Sequence, residues 1–147
     1  MVFKIEDRTF HCALDVTMNY IGGKWKAVVL WYLLHQTRRF SELKKLIPSI
    51  TEKMLSLQLK ELEKDGIVAR TVYPQVPPKV EYTLTDFGRE LTPVIEAMAK
   101  WGRQTGKKRG QIVELDNRKF KPNLQSSKKI RIKSGKYPKM LVKHKNP

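Results

Sequence analysis

A chain of 147 residues has room for one ordinary domain with a modest core, and a hydrophobic content of 40% is too high for a wholly disordered chain. Its 30 Lys and Arg against 14 Asp and Glu give a formal net charge of +16, which points to a polyanionic partner, either nucleic acid or an anionic membrane face. The single cysteine, Cys12, excludes an internal disulfide framework and a multi-thiolate metal site. The longest apolar run, Ala27 to Leu34, falls far short of the ~20 residues that span a bilayer, and no signal-peptide core precedes it, so a soluble cytoplasmic protein with no membrane partner is expected.

Leu14, Met18 and Ile21 recur at helical spacing and predict a short amphipathic helix, which Gly22-Gly23 stops by accepting the left-handed backbone of a helix end. Trp25 to Gln36 is apolar nearly all round and predicts a central helix packed on several sides. Ser41 is a good N-cap for a short helix through Leu46, and Pro48 prevents its continuation. Ser49, with Glu52 at capping-box spacing, or alternatively Thr51, starts the best-signalled helix. Leu55, Leu59 and Leu62 form its buried stripe and Gly66 ends it. Lys53, Ser56 and Lys60 then stand on the opposite, solvent face; Leu57 falls off the stripe.

After Gly66 the period changes to two. Val68 to Tyr73 and Lys79 to Leu84 read as short strands joined by Pro74-Gln75-Val76-Pro77-Pro78, an extended rather than tight connection. Thr85 can cap a last long helix carrying Phe87, Leu91, Val94, Met98 and Trp101, with a kink expected at Pro93. That helix carries more apolar side chains than a small domain readily covers. With the first helix it forms the expected homodimer surface, made by Leu14, Met18, Leu91, Val94, Met98 and Trp101. From Lys107 onward the pattern fades: 107–147 hold 14 basic and 2 acidic residues, a basic and flexible tail behind a domain at 1–106. Ile130 and Ile132 alternate with charges there, as for a strand formed on docking.

Enzyme chemistry finds little support. His11, His35 and His144 lie far apart, and HExxH, GxSxG and GxGxxG are all missing. Gly23-Lys24 is like the end of a phosphate-binding loop, but Trp25 stands where Ser or Thr must hold Mg²⁺. No cofactor and no metal are expected. A short helix, a turn and a longer helix with a polar outer face instead have the layout of a helix-turn-helix, and Lys53, Ser56 and Lys60 suit base edges and phosphates. Taken alone, such a face is more often merely solvated. Arg70, Lys79 and the Pro-rich tip suit a wing along a phosphate backbone, or an ordinary surface hairpin. Cys12 reads as a small buried hydrophobe, or as a redox or electrophile sensor able to bridge to its copy in a dimer.

Four stretches taken together resemble the HxlR-type family of bacterial regulators, relatives of the MarR-like winged-helix proteins. They are Cys12-Ala13-Leu14 leading to Ile21-Gly22-Gly23-Lys24-Trp25; Arg39-Phe40-Ser41-Glu42-Leu43; Ile50-Thr51 through Leu59-Lys60-Glu61-Leu62-Glu63 to Gly66; and Pro77-Pro78-Lys79-Val80-Glu81-Tyr82-Thr83-Leu84-Thr85 through Gly88 and Leu91 to Trp101-Gly102. The likeness covers about residues 10–103. It implies a mainly α winged helix-turn-helix domain with a small β-ribbon and dimerisation helices at both ends. It also implies a homodimer that binds inverted-repeat operators in double-stranded DNA; such a dimer is expected to repress by blocking polymerase, with activation equally compatible with the sequence. DNA contact is carried onto Thr51, Lys53, Ser56 and Lys60 in the recognition helix 51–65, with Arg39 and Lys79 on phosphates. Family members often have a cysteine at the position of Cys12, and some sense quinones, aldehydes or oxidants with it, so an oxidant or small-molecule effector is implied. Ala13 stands where the family usually has proline, and the basic tail lies outside the family pattern. The runner-up reading is an RNA- or ribosome-associated basic protein that binds through its tail; a third is a protein-docking module.

Overall fold

The computed structural model describes residues 1–110. A small hairpin of β1 (Phe3–Ile5) and β2 (Arg8–Phe10) precedes α1 (Ala13–Ile21) and α2 (Lys26–Leu33). Then follow β3 (Arg38–Arg39), α3 (Phe40–Leu46), α4 (Glu52–Lys64), β4 (Val68–Tyr73), β5 (Lys79–Leu84), α5 (Asp86–Arg89) and α6 (Thr92–Arg109). Everything up to Trp101 belongs to one compact unit, Met1–Trp101, and the last turns of α6 belong to a second, Gly102–Pro147. Ile130 and Ile132 lie outside the described residues.

The core is built around α2. Val29, Leu30 and Leu33 are buried, while Ala27, Val28, Trp31 and Tyr32 pack partly against the same cluster, so the helix uses nearly its whole circumference. Leu43 of α3, Ile47 and Ile50 of the turn, and Leu55, Leu59 and Leu62 of α4 close over it. At roughly 1.5–3 kcal/mol for each large apolar side chain removed from water, this cluster is what holds α3 and α4 at a fixed angle.

Local chemistry sets the ends of α4. Thr51, not Ser49, is the cap: its Oγ1 accepts from the Met54 N–H at 3.1 Å. At the other end Gly66 sits at φ +72, its N–H bonding to Glu63 O at 3.0 Å while the Ile67 N–H bonds to Leu62 O at 3.0 Å. This paired closure satisfies the last carbonyls and needs a residue at ease in the left-handed region. Ile67, fully buried, then turns the chain into β4.

Three details depart from the sequence expectation. The ribbon gains a third strand, since β3 pairs with β5 to give the order β3-β5-β4, and the hairpin β1–β2 had no visible period. The short third helix starts at Phe40 behind an extended Arg39 with no side-chain cap bond, so Ser41 lies inside it rather than capping it. The expected kinked helix is instead two: Thr85 does cap, its Oγ1 accepting from Gly88 N–H at 2.9 Å, but α5 stops at Arg89. Pro93 occupies the first turn of α6, where its missing N–H breaks no helical bond. At the first turn between helices the left-handed residue is Gly23 alone, at φ +88, while Gly22 is extended.

Candidate nucleic-acid interface

α3 and α4 meet through a turn closed by a hydrogen bond from Lys44 Nζ to Pro48 O at 3.2 Å and by the buried Ile47 and Ile50. Because α4 buries Leu55, Leu59 and Leu62, the residues half a turn away must face out, and Lys53, Lys60 and Lys64 are all exposed. Ser56 is half-buried on the flank of that face, and Thr51 has its hydroxyl engaged in capping. Leu57, 46% exposed, stands among the lysines.

Glu61, on one rim of this face, is neutralised from the neighbouring helix: Lys26 Nζ of α2 lies 2.9 Å from its Oε2, while Glu52 and Glu63 are exposed on the other flank. Lys26 is only 13% exposed, so the pair both ties α4 to α2 and removes a negative charge from the basic face. Such a surface, the lysine-bearing face of a helix of about 10–12 Å diameter, has the size and local charge that a major groove admits.

The sheet arranges its charges differently. Strand alternation and register place Arg39, Glu81 and Thr71 side by side on one face, and Arg38, Tyr82 and Arg70 on the other. Arg39 and Arg70 are exposed, but on opposite faces. Lys79 is engaged: its Nζ lies 2.8 Å from Glu81 Oε1 and 4.9 Å from the centre of the Tyr73 ring, and Tyr73 OH donates to Glu81 Oε2 at 3.2 Å. The Lys79 hydrogen bond holds the Glu81 carboxyl below the usual carboxylate range. Partial burial works against that, and Tyr73 and the charge of Arg39 add to it. The base of the wing is thus a nearly balanced charge cluster, and its Pro-rich tip, with Val76 wholly exposed, extends beyond it.

Two ties fix the sheet to the helices. The Thr85 hydroxyl and N–H bond to carbonyls of Gly66 and Ile67, joining the end of β5 to the end of α4. Arg38, buried in β3, donates from Nε to the Tyr32 carbonyl of α2 at 3.3 Å. Burial pushes the Arg38 pKa down, and the charge of Glu42 on α3 opposes that. No sequence pattern had marked Arg38 or the Lys26–Glu61 pair, since both depend on partners distant in the chain.

Of the expected dimer residues, Leu14, Met18, Met98 and Trp101 are at least half exposed, whereas Leu91 and Val94 are half-buried and pack against the domain's own core. Tyr20 of α1 meets Phe87 of α5 edge-to-face with ring centres 5.7 Å apart. Cys12 is half-buried at the cap position of α1 with no cap bond from its side chain. Asp15 in the first turn instead reaches back across the cap, accepting from the His11 N–H at 3.2 Å and lying 2.9 Å from His11 Nδ1. Among the described residues no three His, Cys, Asp or Glu cluster as metal ligands, and no helix is long and apolar enough to cross a membrane.

The family described as HxlR-like helix-turn-helix matches residues 20–109. The HTH-type transcriptional regulator YdeP of Bacillus subtilis (strain 168) is 55% identical over 93 residues, which is 63% of this chain and 73% of that protein. Among solved structures, the redox regulator HypR in its oxidised form is similar at a TM-score of 0.62 and 48% identity, covering 69% of this chain and 100% of the other. The reduced form of the transcriptional regulator YodB from B. subtilis is similar at a TM-score of 0.56 and 38% identity, over 65% and 94% of the two chains.

Proposed function

The chain belongs to the HxlR-like helix-turn-helix family of transcriptional regulators, and from that premise we propose that it is a homodimeric, sequence-specific repressor acting in the cytoplasm. Each copy places α4 in the major groove of one half of an inverted-repeat operator. The carrying observation is the outer face of α4, where Lys53, Lys60 and Lys64 are exposed and Glu61 on its rim is paired with Lys26. Two such helices in successive grooves read half-sites ~34–36 Å apart, and occupancy of the operator blocks polymerase. Arg39 and Arg70 add phosphate contacts. Leu14, Met18, Met98 and Trp101 supply the exposed apolar surface of the dimer. The test is binding of the full chain to its own upstream region against shuffled DNA across a salt series. A preference that survives physiological salt supports the reading; equal, salt-sensitive binding to both duplexes, or to RNA alike, removes it and hands the affinity to the basic tail.

Regulation by oxidation belongs to the same proposal. Two Cys12 thiols, one from each copy, lose their hydrogens to a two-electron oxidant such as a peroxide, which is reduced to water as the S–S bond forms. The likeness to HypR and YodB, a redox regulator and a regulator solved in its reduced form, supports this. So does the exposed apolar surface of Leu14 and Met18 beside Cys12. A peroxide-dependent covalent dimer on a non-reducing gel, lost in Cys12→Ser together with oxidant release of DNA, is expected. Release that persists in Cys12→Ser excludes the thiol.

A further inference from the structure

Leu57 is an apolar side chain with no structural task. α4 advances about 100° per residue, so Leu57 points almost directly away from Leu55, Leu59 and Leu62, the three residues that fix the helix to the core. It stays 46% exposed and belongs neither to the core nor to the side chains packed on it. The same geometry places it about 40° from Lys53, about 60° from Lys60 and about 20° from Lys64, all on one side, with Glu61, paired to Lys26, about 40° away on the other, so it borders a row of exposed ammonium groups. Met54, on the edge of that face, has its sulfur engaged by Gln58 Nε2 at 3.3 Å, which leaves Leu57 as the apolar group set forward.

An apolar protein surface does not suit a side chain set between three lysines and an ion pair, since docking would strip water from the ammonium groups without replacing their partners. A polyanion does suit it, because phosphates take the lysines while the apolar group beside them meets base edges. In the major groove the one apolar group on a base edge is the thymine 5-methyl. The geometry therefore assigns Leu57 as a specificity residue that packs on a thymine methyl in each operator half-site. This rests on α4 entering the major groove, as proposed above, and adds which group of which base it reads there.

The experiment begins by enriching duplexes from a random library with the full chain, then replaces each thymine of the recovered half-site by deoxyuridine, which removes only the methyl. Wild type is expected to lose about three- to fivefold in affinity at one thymine per half-site, the worth of one buried methyl group. Leu57→Ala should lose nothing further at that thymine and bind all others as before, with its helix content unchanged; Leu57→Met should retain part of the discrimination. Several outcomes overturn the assignment while leaving operator binding intact. These are a recovered half-site without thymine, indifference of wild type to every replacement, or an equal loss in both proteins. A change in oligomeric state in Leu57→Ala gives the residue to a second copy instead. Failure to enrich any sequence removes the DNA-reading proposal itself, and this inference with it.

Discussion

α4 and the sheet beside it both carry basic residues, yet they hold them in different ways. On α4 the lysines are free, and Glu61 on the rim is neutralised from outside the face by Lys26. In the wing Lys79 is spent on Glu81, with Tyr73 holding both, and Arg39 lies beside the same carboxylate across the strand pair. A sequence shows that a cation is present. Only the fold shows whether its charge remains available to a phosphate. If DNA is the ligand, the helix supplies most of the affinity, and the wing supplies mainly position.

The sharpest way to break that comparison is to strip the helix. Lys53→Ala with Lys60→Ala should weaken binding to the preferred duplex by well over tenfold, and lower the slope of log affinity against log salt by about two, one per lysine removed. Gel shift or fluorescence anisotropy of the full chain reads both. Lys79→Ala, already paired in the free protein, should change the slope by much less than one. Equal effects at the two sites would erase the distinction.

The next largest effect is expected where helix and scaffold meet. Lys26→Met keeps the side chain's apolar stem but leaves Glu61 unpaired on the rim of the basic face. A loss of about threefold to fivefold in affinity should follow, with a stability change below about 1 kcal/mol because Glu61 is partly exposed. Adding Glu61→Gln should restore the affinity. If it does not, Lys26 acts by holding α4 in place and not by neutralising charge.

A smaller and opposite effect is expected at Glu81. Its carboxyl is held below the usual range, so its contribution to stability is present above the unfolded carboxylate value of about 4.3 and is lost as pH falls through the lowered folded value. Glu81→Gln should remove that acid limb from the melting profile. The same change releases Lys79 and Arg39, so DNA affinity at neutral pH should rise about twofold, where Lys79→Ala lowers it slightly. A fall in affinity would show that the paired cluster itself is the shape DNA meets.

What was legible in the chain follows the reach of each signal. Periodic stripes such as Leu55, Leu59 and Leu62, and the alternation of Val80, Tyr82 and Leu84, are local and long enough to read, and they gave α4 and the wing. β3 has two residues and exists only through its pairing with Glu81 and Tyr82, while β1 and β2 have three each, too few to show a period. Pro93 was visible, but whether it kinks a helix or starts a new one depends on α5 closing first at Arg89. At the site, exposure of Lys53 and Lys60 followed from the stripe itself. The pairing of Lys26 with Glu61 required knowing that α2 crosses α4. The engagement of Lys79 was within reach, since Glu81 stands two residues on and strand alternation puts both on one face. Leu57 was signalled too, as a leucine at the wrong angle for the core.

The smallest effect should come from Arg70. It stands exposed on β4, on the sheet face that carries Tyr82 and Arg38, and no hydrogen bond or ion pair among the described residues engages it. A single cation on the sheet, outside α4, is expected to touch phosphate and read no base, so it should add to all duplexes alike. Arg70→Ala is expected to weaken binding about twofold to the preferred and the shuffled duplex equally, leaving their ratio unchanged. A change in the ratio would move part of the sequence reading into the wing, and the division between a helix that discriminates and a wing that positions would no longer hold.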